Sequence, residues 1–492
     1  MAQWLSKVFN LFKPDDDNDG GRDPRILTAR QHGLHSHQIS SAAVKTVDRL
    51  QDAGFEAYAV GGCVRDLLLD DKPKDFDVST NATPEQVRKL FRNSRIIGRR
   101  FRIVHVRFGR EIIEVTTFRS HHTESEDAKE ASQGDSGVLL RDNVYGGDLQ
   151  ADAVRRDFTV NALYYCPTDN TVHDYTGGLR DLKNRQIRMI GDPETRYRED
   201  PVRMLRAARF AAKLDFDIEP ETAHPLRPLA YLLDQTAPAR LFDEILKLLA
   251  GGAGLRTYEV LQEFQLIEHL FPVTTPLLPR GNQYEQESGD YFERFIRQSL
   301  KNTDTRLAQG KRITPAFLYA ALLWPPLKVD LDRRIAKGSE PSLALHKAAN
   351  QVLDQQIKRV AIPRRFTSTM REIWELQLRL PKRGGSKAFR VMEHPKFRAA
   401  YDFLLLRAEV GEPGSNENLN ELGKWWTDFQ AVSEHQQKKM VDDLFAKSTK
   451  KNESKRKPRR RSRKKSDSND LSNNSATPPV NNQANQSQDS AN

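Results

Sequence analysis

Between residue 38 and residue 118 the apolar positions change their period repeatedly. Residues 39–53 recur at helical spacing, FEAYAV at 55–60 reads as a strand, and GGCVRDLLL opens a second helix. DFDVS at 75–79 is a further strand and TPEQVRKLFRN starts as a capped helix. RIVHVRF at 102–108 and EIIEVTTF at 111–118 alternate as the two strands of a hairpin. From about 199 to 445 the strand pattern fades and helical periodicity takes over, as in RMLRAARFAAKL and RLFDEILKLLA. The architecture expected is α+β: a small α/β head, a long all-helical body and two flexible ends.

Three segments stand apart. Residues 121–137 (HHTESEDAKEASQGDSG) form a polar loop without apolar periodicity. In the first 37 residues, Trp4, Leu5, Val8, Phe9, Leu11 and Phe12 recur at helical spacing with Lys7 and Lys13, up to Pro14. Such an amphipathic helix could lie on a membrane surface, dock on a partner or fold back on its own protein. From 448 onward Ser, Asn, Gln, Pro and charge dominate, a composition that cannot offset its own ordering entropy, so 448–492 is expected to be disordered.

Charge sharpens that division. The chain has 492 residues and a formal charge of +11, yet residues 450–465 alone hold eleven Lys or Arg and one Glu, a net of +10. With three Asp in 466–492, residues 1–449 carry only 11 − 10 + 3 = +4. A basic run of this density attracts phosphate backbones by counterion release, so Lys455, Arg456, Lys457, Arg459, Arg460, Arg461, Arg463, Lys464 and Lys465 are candidate RNA contacts; the plainer reading is a solubilising tail. The two cysteines, Cys63 and Cys166, supply neither a disulfide framework nor a zinc cage. With no long apolar run and no secretory leader, a soluble intracellular protein is expected.

The residues that carry chemistry lie in the head. Gly61-Gly62-Cys63-Val64-Arg65-Asp66 joins a strand to a helix. Paired glycines let a backbone approach an anion, and Arg65 adds a donor, although a tight structural turn would look the same. Downstream, Asp75 and Asp77 are two apart on the expected strand, hence on one side, with Phe76 turned to the core. Two carboxylates held together repel unless a hard cation such as Mg²⁺ lies between them, which points to metal-assisted phosphoryl or nucleotidyl transfer. Glu114 is either a third carboxylate of that site or an exposed strand residue. Arg155, Arg156, Asp157 and Asn161 combine cations, acid and amide. Asp200, Arg203 and Arg206 follow at spacings of three, which reads as surface ion pairing or as a set presented to a base edge.

GGCVRDLLL…DFDVST, RRDFTVNALYY, DYTGGLRDL and EDPVRMLRAARFA, in this order, resemble the polymerase β-type nucleotidyltransferases, in the group of tRNA CCA-adding enzymes and bacterial poly(A) polymerases. Within it, IIGRRFRIVHV (96–106) and LLRDNVYGG (139–147) resemble the poly(A) polymerases. The resemblance implies a flexible segment at 1–37, a catalytic head at 38–185, a nucleotide-selecting neck at 186–270, an RNA-binding body at 271–447 and the tail at 448–492. It implies AMP transfer from ATP to RNA 3′ ends in the bacterial cytoplasm, promoting RNA turnover, with contact to RNA-decay machinery or a membrane surface. CCA addition to tRNA and non-catalytic RNA binding are the competing readings. Asp75 and Asp77 would then hold two Mg²⁺ ions, with Glu114 beside them, and Asp157 would be catalytic. Gly61, Gly62, Arg65, Arg155, Arg156, Asn161, Asp200, Arg203 and Arg206 would bind the nucleotide.

Overall fold

The computed structural model describes residues 25–98, 102–119, 147–279, 291–413 and 418–455. Trp4 to Phe12, the 121–137 loop and most of LLRDNVYGG lie outside them, as do Arg456, Lys457, Arg459, Arg460, Arg461, Arg463, Lys464 and Lys465.

The head is built on one mixed sheet of eight strands: β1 Arg25–Leu27, β2 Ala57–Val60, β3 Asp77–Thr80, β4 Ser94–Ile97, β5 Ile103–Phe108, β6 Glu111–Thr117, β7 Leu163–Cys166 and β8 Thr171–Asp174. Their spatial order is β1-β8-β7-β2-β3-β6-β5-β4, and every neighbouring pair is antiparallel except β3 with β6. The helices α1 Ser41–Asp52, α2 Gly62–Leu68 and α3 Pro84–Leu90 follow the expected pattern. Each start has a local cause: the Ser40 hydroxyl accepts from the Ala42 and Ala43 amides, and Thr83 closes a capping box with Gln86 ahead of Pro84.

Alternation along the strands divides the sheet's two faces. Ala57, Ala59, Val78 and Val115 pack into the main core with Ala43, Val47 and Leu50 of α1. Val60, Tyr164 and Phe118 face the other way into a smaller cluster, roofed by Leu149 and Ala153 of α4 Leu149–Val154.

Two expectations are corrected. Residues 25–37 are not a flexible lead-in, because β1 pairs with β8, and Leu27, His32 and Leu34 are buried. His32 is held from both ring nitrogens, Nε2 to the Asn170 carbonyl at 2.9 Å and Nδ1 accepting from the Leu34 amide at 3.0 Å. At the other end, the last helix runs over Glu434–Lys455 and so extends past 447.

Beyond the head, β9 Gln186–Ile187 pairs in parallel with β10 Asp217–Ile218, the only strands among the described residues after β8. Between them lie α5 Pro193–Glu199 and α6 Val202–Leu214. Helices starting at Pro238, Pro315 and Pro341 carry proline in the first turn, where its missing amide costs no intrahelical bond. The main core continues through this body, and a second cluster around Trp426, Phe429, Phe397 and Tyr401 closes its end.

Candidate active site

Register decides which carboxylates meet. Asp77 opposes Val60 on one side and Glu114 on the other, so all three belong to the face away from α1. Asp75 lies in the bend before β3 and is exposed, so the same-strand argument for the pair gives way to a strand-entry position. Asp75 remains close enough for its charge to act on Asp77. Burial, Glu114 and Asp75 push the Asp77 carboxyl up to about 6, against the pull of Arg156. Glu114 is half exposed and lies 3.3 Å from His105 Nε2 across the hairpin. Among the described residues no three or more His, Cys, Asp or Glu side chains are already drawn together as a metal cage. The crowding at Asp77 is nevertheless what a hard cation relieves, and an all-oxygen donor set suits Mg²⁺.

The turn from β2 to α2 comes next to these acids. Gly61 has φ +79°, a conformation that L side chains rarely adopt, while its amide donates to the Leu163 carbonyl at 3.0 Å. Arg65 does not stand free as a phosphate donor. It is buried, with Nε and Nη2 on Asp66 at 2.8 and 2.5 Å and Nη1 on Asn161 Oδ1 at 2.5 Å. Its guanidinium also lies 5.4 Å from the Phe210 ring of α6. Arg65 and Asn161 thus brace each other at the rim of the site.

Asp152, on α4, is a member that the sequence reading missed. Its side chain is 3% exposed, and its two oxygens accept from Arg155 Nε (3.2 Å), Arg156 Nη2 (3.0 Å), the Tyr164 hydroxyl (2.8 Å) and the Ser79 hydroxyl (3.2 Å). Burial alone would raise the Asp152 carboxyl, but Arg156 and Arg155 hold it below its ordinary range. Arg156 donates Nε to Tyr164 at 2.8 Å and lies over that ring, which keeps its charge within reach of Asp77. The spacing of four between Asp152 and Arg156 was the available signal.

Asp157 is engaged on the neck side. Oδ2 accepts from Arg206 Nε at 2.6 Å and is also paired with Nη2, while Oδ1 accepts from the Phe158 amide at 2.9 Å and Asn161 Nδ2 at 3.4 Å. Burial opposes ionisation, yet Arg206 and these donors keep Asp157 below its ordinary range. Asp200 precedes α6, and its side chain pairs with Arg240 at 2.7 Å. Arg203 pairs with Glu199 at 2.7 Å and donates to the Arg196 carbonyl. The expected pairing among Asp200, Arg203 and Arg206 is therefore replaced by partners on other elements. Arg196, also missed, donates Nη2 to the Arg155 and Arg156 carbonyls at 2.6 and 2.8 Å, fastening α5 to the head.

The DYTGGLRDL block turns out to be scaffolding for this site. Asp174 accepts from the amides of Thr176, Gly177, Gly178 and Leu179, capping the helix Gly178–Lys183. A Cβ on Gly178 would lie 2.3 Å from the Thr159 carbonyl, so only glycine lets that helix approach the Thr159–Asn161 turn. Asp181 then takes the Thr159 hydroxyl at 2.7 Å. The turn that carries Asn161 is fixed from beneath.

Comparison with known proteins adds the following. Family models described as the poly A polymerase head domain, the probable RNA and SrmB-binding site of polymerase A, and the polymerase A arginine-rich C-terminus match residues 57–188, 215–278 and 337–465. Poly(A) polymerase I of Salmonella typhimurium is 52% identical over 90% of this chain and 94% of its own. The Haemophilus influenzae poly(A) polymerase I is 48% identical over 86% and 91%. A CCA-adding enzyme of Lactobacillus helveticus reaches 40%, over only 46% of this chain and 54% of its own. Among solved structures, the Bacillus stearothermophilus CCA-adding enzyme in complex with CTP aligns at a TM-score of 0.51 and 23% identity, covering 78% of this chain and 80% of its own. An apo tRNA-processing enzyme aligns at 0.54 and 22%, covering 81% and 99%. At these identities the likeness is one of fold.

Proposed function

The chain belongs to the poly(A) polymerase family, and on that premise we propose how its cleft transfers AMP from ATP to an RNA 3′-hydroxyl, without a template and with release of pyrophosphate. The observation that supports this site assignment is the pairing of Asp77 with Glu114 in register, on the sheet face that Arg156 also reaches. Asp75 and Asp77, with Glu114 beside them, would hold Mg²⁺. Bound there, Mg²⁺ would lower the pKa of the attacking hydroxyl and neutralise charge on the triphosphate.

The protein's own groups do the positioning. Asp152 and Tyr164 orient Arg156 toward the acidic edge, where its guanidinium would meet the triphosphate. Gly61 and Gly62 let the α2 turn approach the same anion. Asp157, with both oxygens engaged, acts as a positioning carboxylate that holds Arg206 rather than as a proton acceptor. Arg206, Asp200 and Arg203 lie at the start of α6, where protein groups in place of a template would read the base.

RNA would be held through its backbone by the body and the basic run, so binding should be salt-sensitive and largely independent of sequence. Truncation after Lys455 is expected to weaken RNA binding while leaving AMP incorporation intact; unchanged RNA affinity at low and moderate salt would refute a tail role. Contact with RNA-decay machinery and membrane contact through Trp4 to Phe12 belong to the same reading. Co-sedimentation of the full chain with anionic vesicles, against a chain lacking residues 1–24, tests the membrane contact. Among the described residues no helix is long and apolar enough to cross a membrane.

The deciding assay is extension of a labelled RNA of arbitrary 3′ end with Mg²⁺ and each nucleoside triphosphate separately. A long ladder with ATP alone is expected. One to three additions, confined to a tRNA lacking its CCA end and requiring CTP, would assign the chain to CCA addition instead.

A further inference from the structure

Away from the head, a cavity of about 580 Å³ opens in the body between the helices Tyr291–Ala308, Pro315–Leu322, Arg364–Arg379 and Phe397–Glu409. That volume is in the range of pockets that enclose one small ligand. Its apolar wall includes Phe317, Leu318 and Ile373, and Phe317 is only partly buried, with its ring edge-on to Phe403 at 5.8 Å.

Charge on the lining is unbalanced. The two carboxylates are engaged, Asp402 with Arg398 at 3.0 Å and Glu409 with the Asn302 amide at 3.4 Å. Arg306, Arg312 and Lys396 also line the cavity, and among the described residues none of them has an ion-pair partner. With Arg398 the lining carries four cations against the two carboxylates, a net of +2, which favours an anion.

Ser299 lines the same cavity, is 2% exposed, and its hydroxyl has no hydrogen-bond partner among the described residues. The hydroxyl itself is shielded from solvent, so it belongs to the wall behind the cavity and not to its open surface. The arrangement suits a planar apolar group against Phe317 with phosphate oxygens at the cations.

We propose that this cavity binds a nucleoside 5′-phosphate unit, supplied by the RNA chain upstream of the 3′ end that the head extends. The proposal rests on RNA being the primer. It adds a discrete anchoring subsite, made by the body, to the diffuse backbone attraction of the basic run.

The test uses the full chain with three changes: Ser299→Ala, Phe317→Leu, and the combination Arg306→Gln, Arg312→Gln and Lys396→Gln. The triple variant should raise the RNA KM and Kd by about tenfold and make the slope of log Kd against log salt shallower by about 2, as for three lost contacts to a single strand. Phe317→Leu should weaken RNA binding by about fivefold or more through lost stacking. Ser299→Ala, whose hydroxyl is shielded from the cavity, is the control and should leave RNA binding at the wild-type value. KM for ATP and kcat at saturating RNA should stay at wild-type values in all three. RNA carrying 4-thiouridine should crosslink to peptides containing Phe317 or Lys396. Labelling of those peptides by 8-azidoadenosine 5′-monophosphate that RNA cannot displace would overturn RNA as the source and assign the cavity to free nucleotide. If neither probe marks the cavity, and RNA KM and salt slope are unchanged while the wild type still extends RNA with ATP, the inference is overturned. A wild type unable to extend RNA would instead overturn the proposed function.

Discussion

Asp152→Asn probes the one carboxylate that ties the roof helix to the catalytic face. Asparagine keeps the shape but must replace one acceptor by an NH₂ donor. With Nδ2 in the Oδ1 position it confronts only Arg155, whereas in the Oδ2 position it confronts Arg156, Tyr164 and Ser79 together. The first orientation is therefore the less costly, and it still leaves two guanidinium groups without their counter-charge. Breaking a fully buried ion pair from one side costs about 3–5 kcal/mol. Here the arginine side chains are 25% and 23% exposed, so water recovers part of the loss, and about 2–3 kcal/mol is expected. For a domain of this size that corresponds to a fall in melting temperature of roughly 5–10 °C. Arg156 should also lose its fixed orientation, raising KM for ATP and lowering kcat in RNA extension. Tyr164→Phe is the milder comparison: it removes a neutral hydroxyl that donates to Asp152 and accepts from Arg156 Nε, costs about 1–2 kcal/mol, and should raise KM for ATP less than Asp152→Asn does, because the ion pair that holds Arg156 remains. An Asp152→Asn protein with unchanged melting temperature and KM for ATP, or one indistinguishable from Tyr164→Phe, would refute the reasoning.

Three further outcomes can be measured independently. Asp77→Asn should abolish extension yet raise thermal stability in EDTA at pH 8. The folded carboxyl titrates near 6, above its ordinary 3.8, so ionisation destabilises the fold as pH rises through that window, and the gain should vanish near pH 4. Gly178→Ala should cost more than about 2 kcal/mol and lower kcat, because the new methyl meets the backbone of the Thr159 turn; Gly62→Ala, whose Cβ would lie 3.6 Å from Arg65 Nη2, should unfold like wild type. Glu412 accepts from Arg407 at 2.6 and 2.9 Å and from the Tyr291 hydroxyl at 2.9 Å. Burial opposes its ionisation, but Arg407 keeps it below its ordinary 4.5. The stability it contributes is therefore present above pH 4.5 and lost as pH falls through its folded value, so the urea midpoints of wild type and Glu412→Gln should differ at pH 7 and converge toward pH 3.

Much of this protein is local and so was legible in order along the chain. Period-2 alternation in RIVHVRF and EIIEVTTF is a property of strands with one buried face, and the hairpin stands where that alternation puts it. The capped start at Thr83, and the helical period from α6 onward, depend on neighbours within one or two turns. The ordered blocks also identified the family, because each keeps residue types that one chemistry needs in one succession.

Tertiary structure decided what touches what. No spacing along the chain could have placed Glu114 next to Asp77, since their strands are joined by the lone parallel pairing of the sheet. Nor could it show that Asp152 comes down from α4 onto Arg156, Tyr164 and Ser79, or that Asp157 reaches across to Arg206. Arg65 looked like a phosphate donor from its position at a helix start. It is a brace instead, because burial leaves a guanidinium no option but partners, and Asp66 and Asn161 are within reach. Local pattern fixes which groups a segment offers; long-range packing and desolvation determine which of them remain free to act.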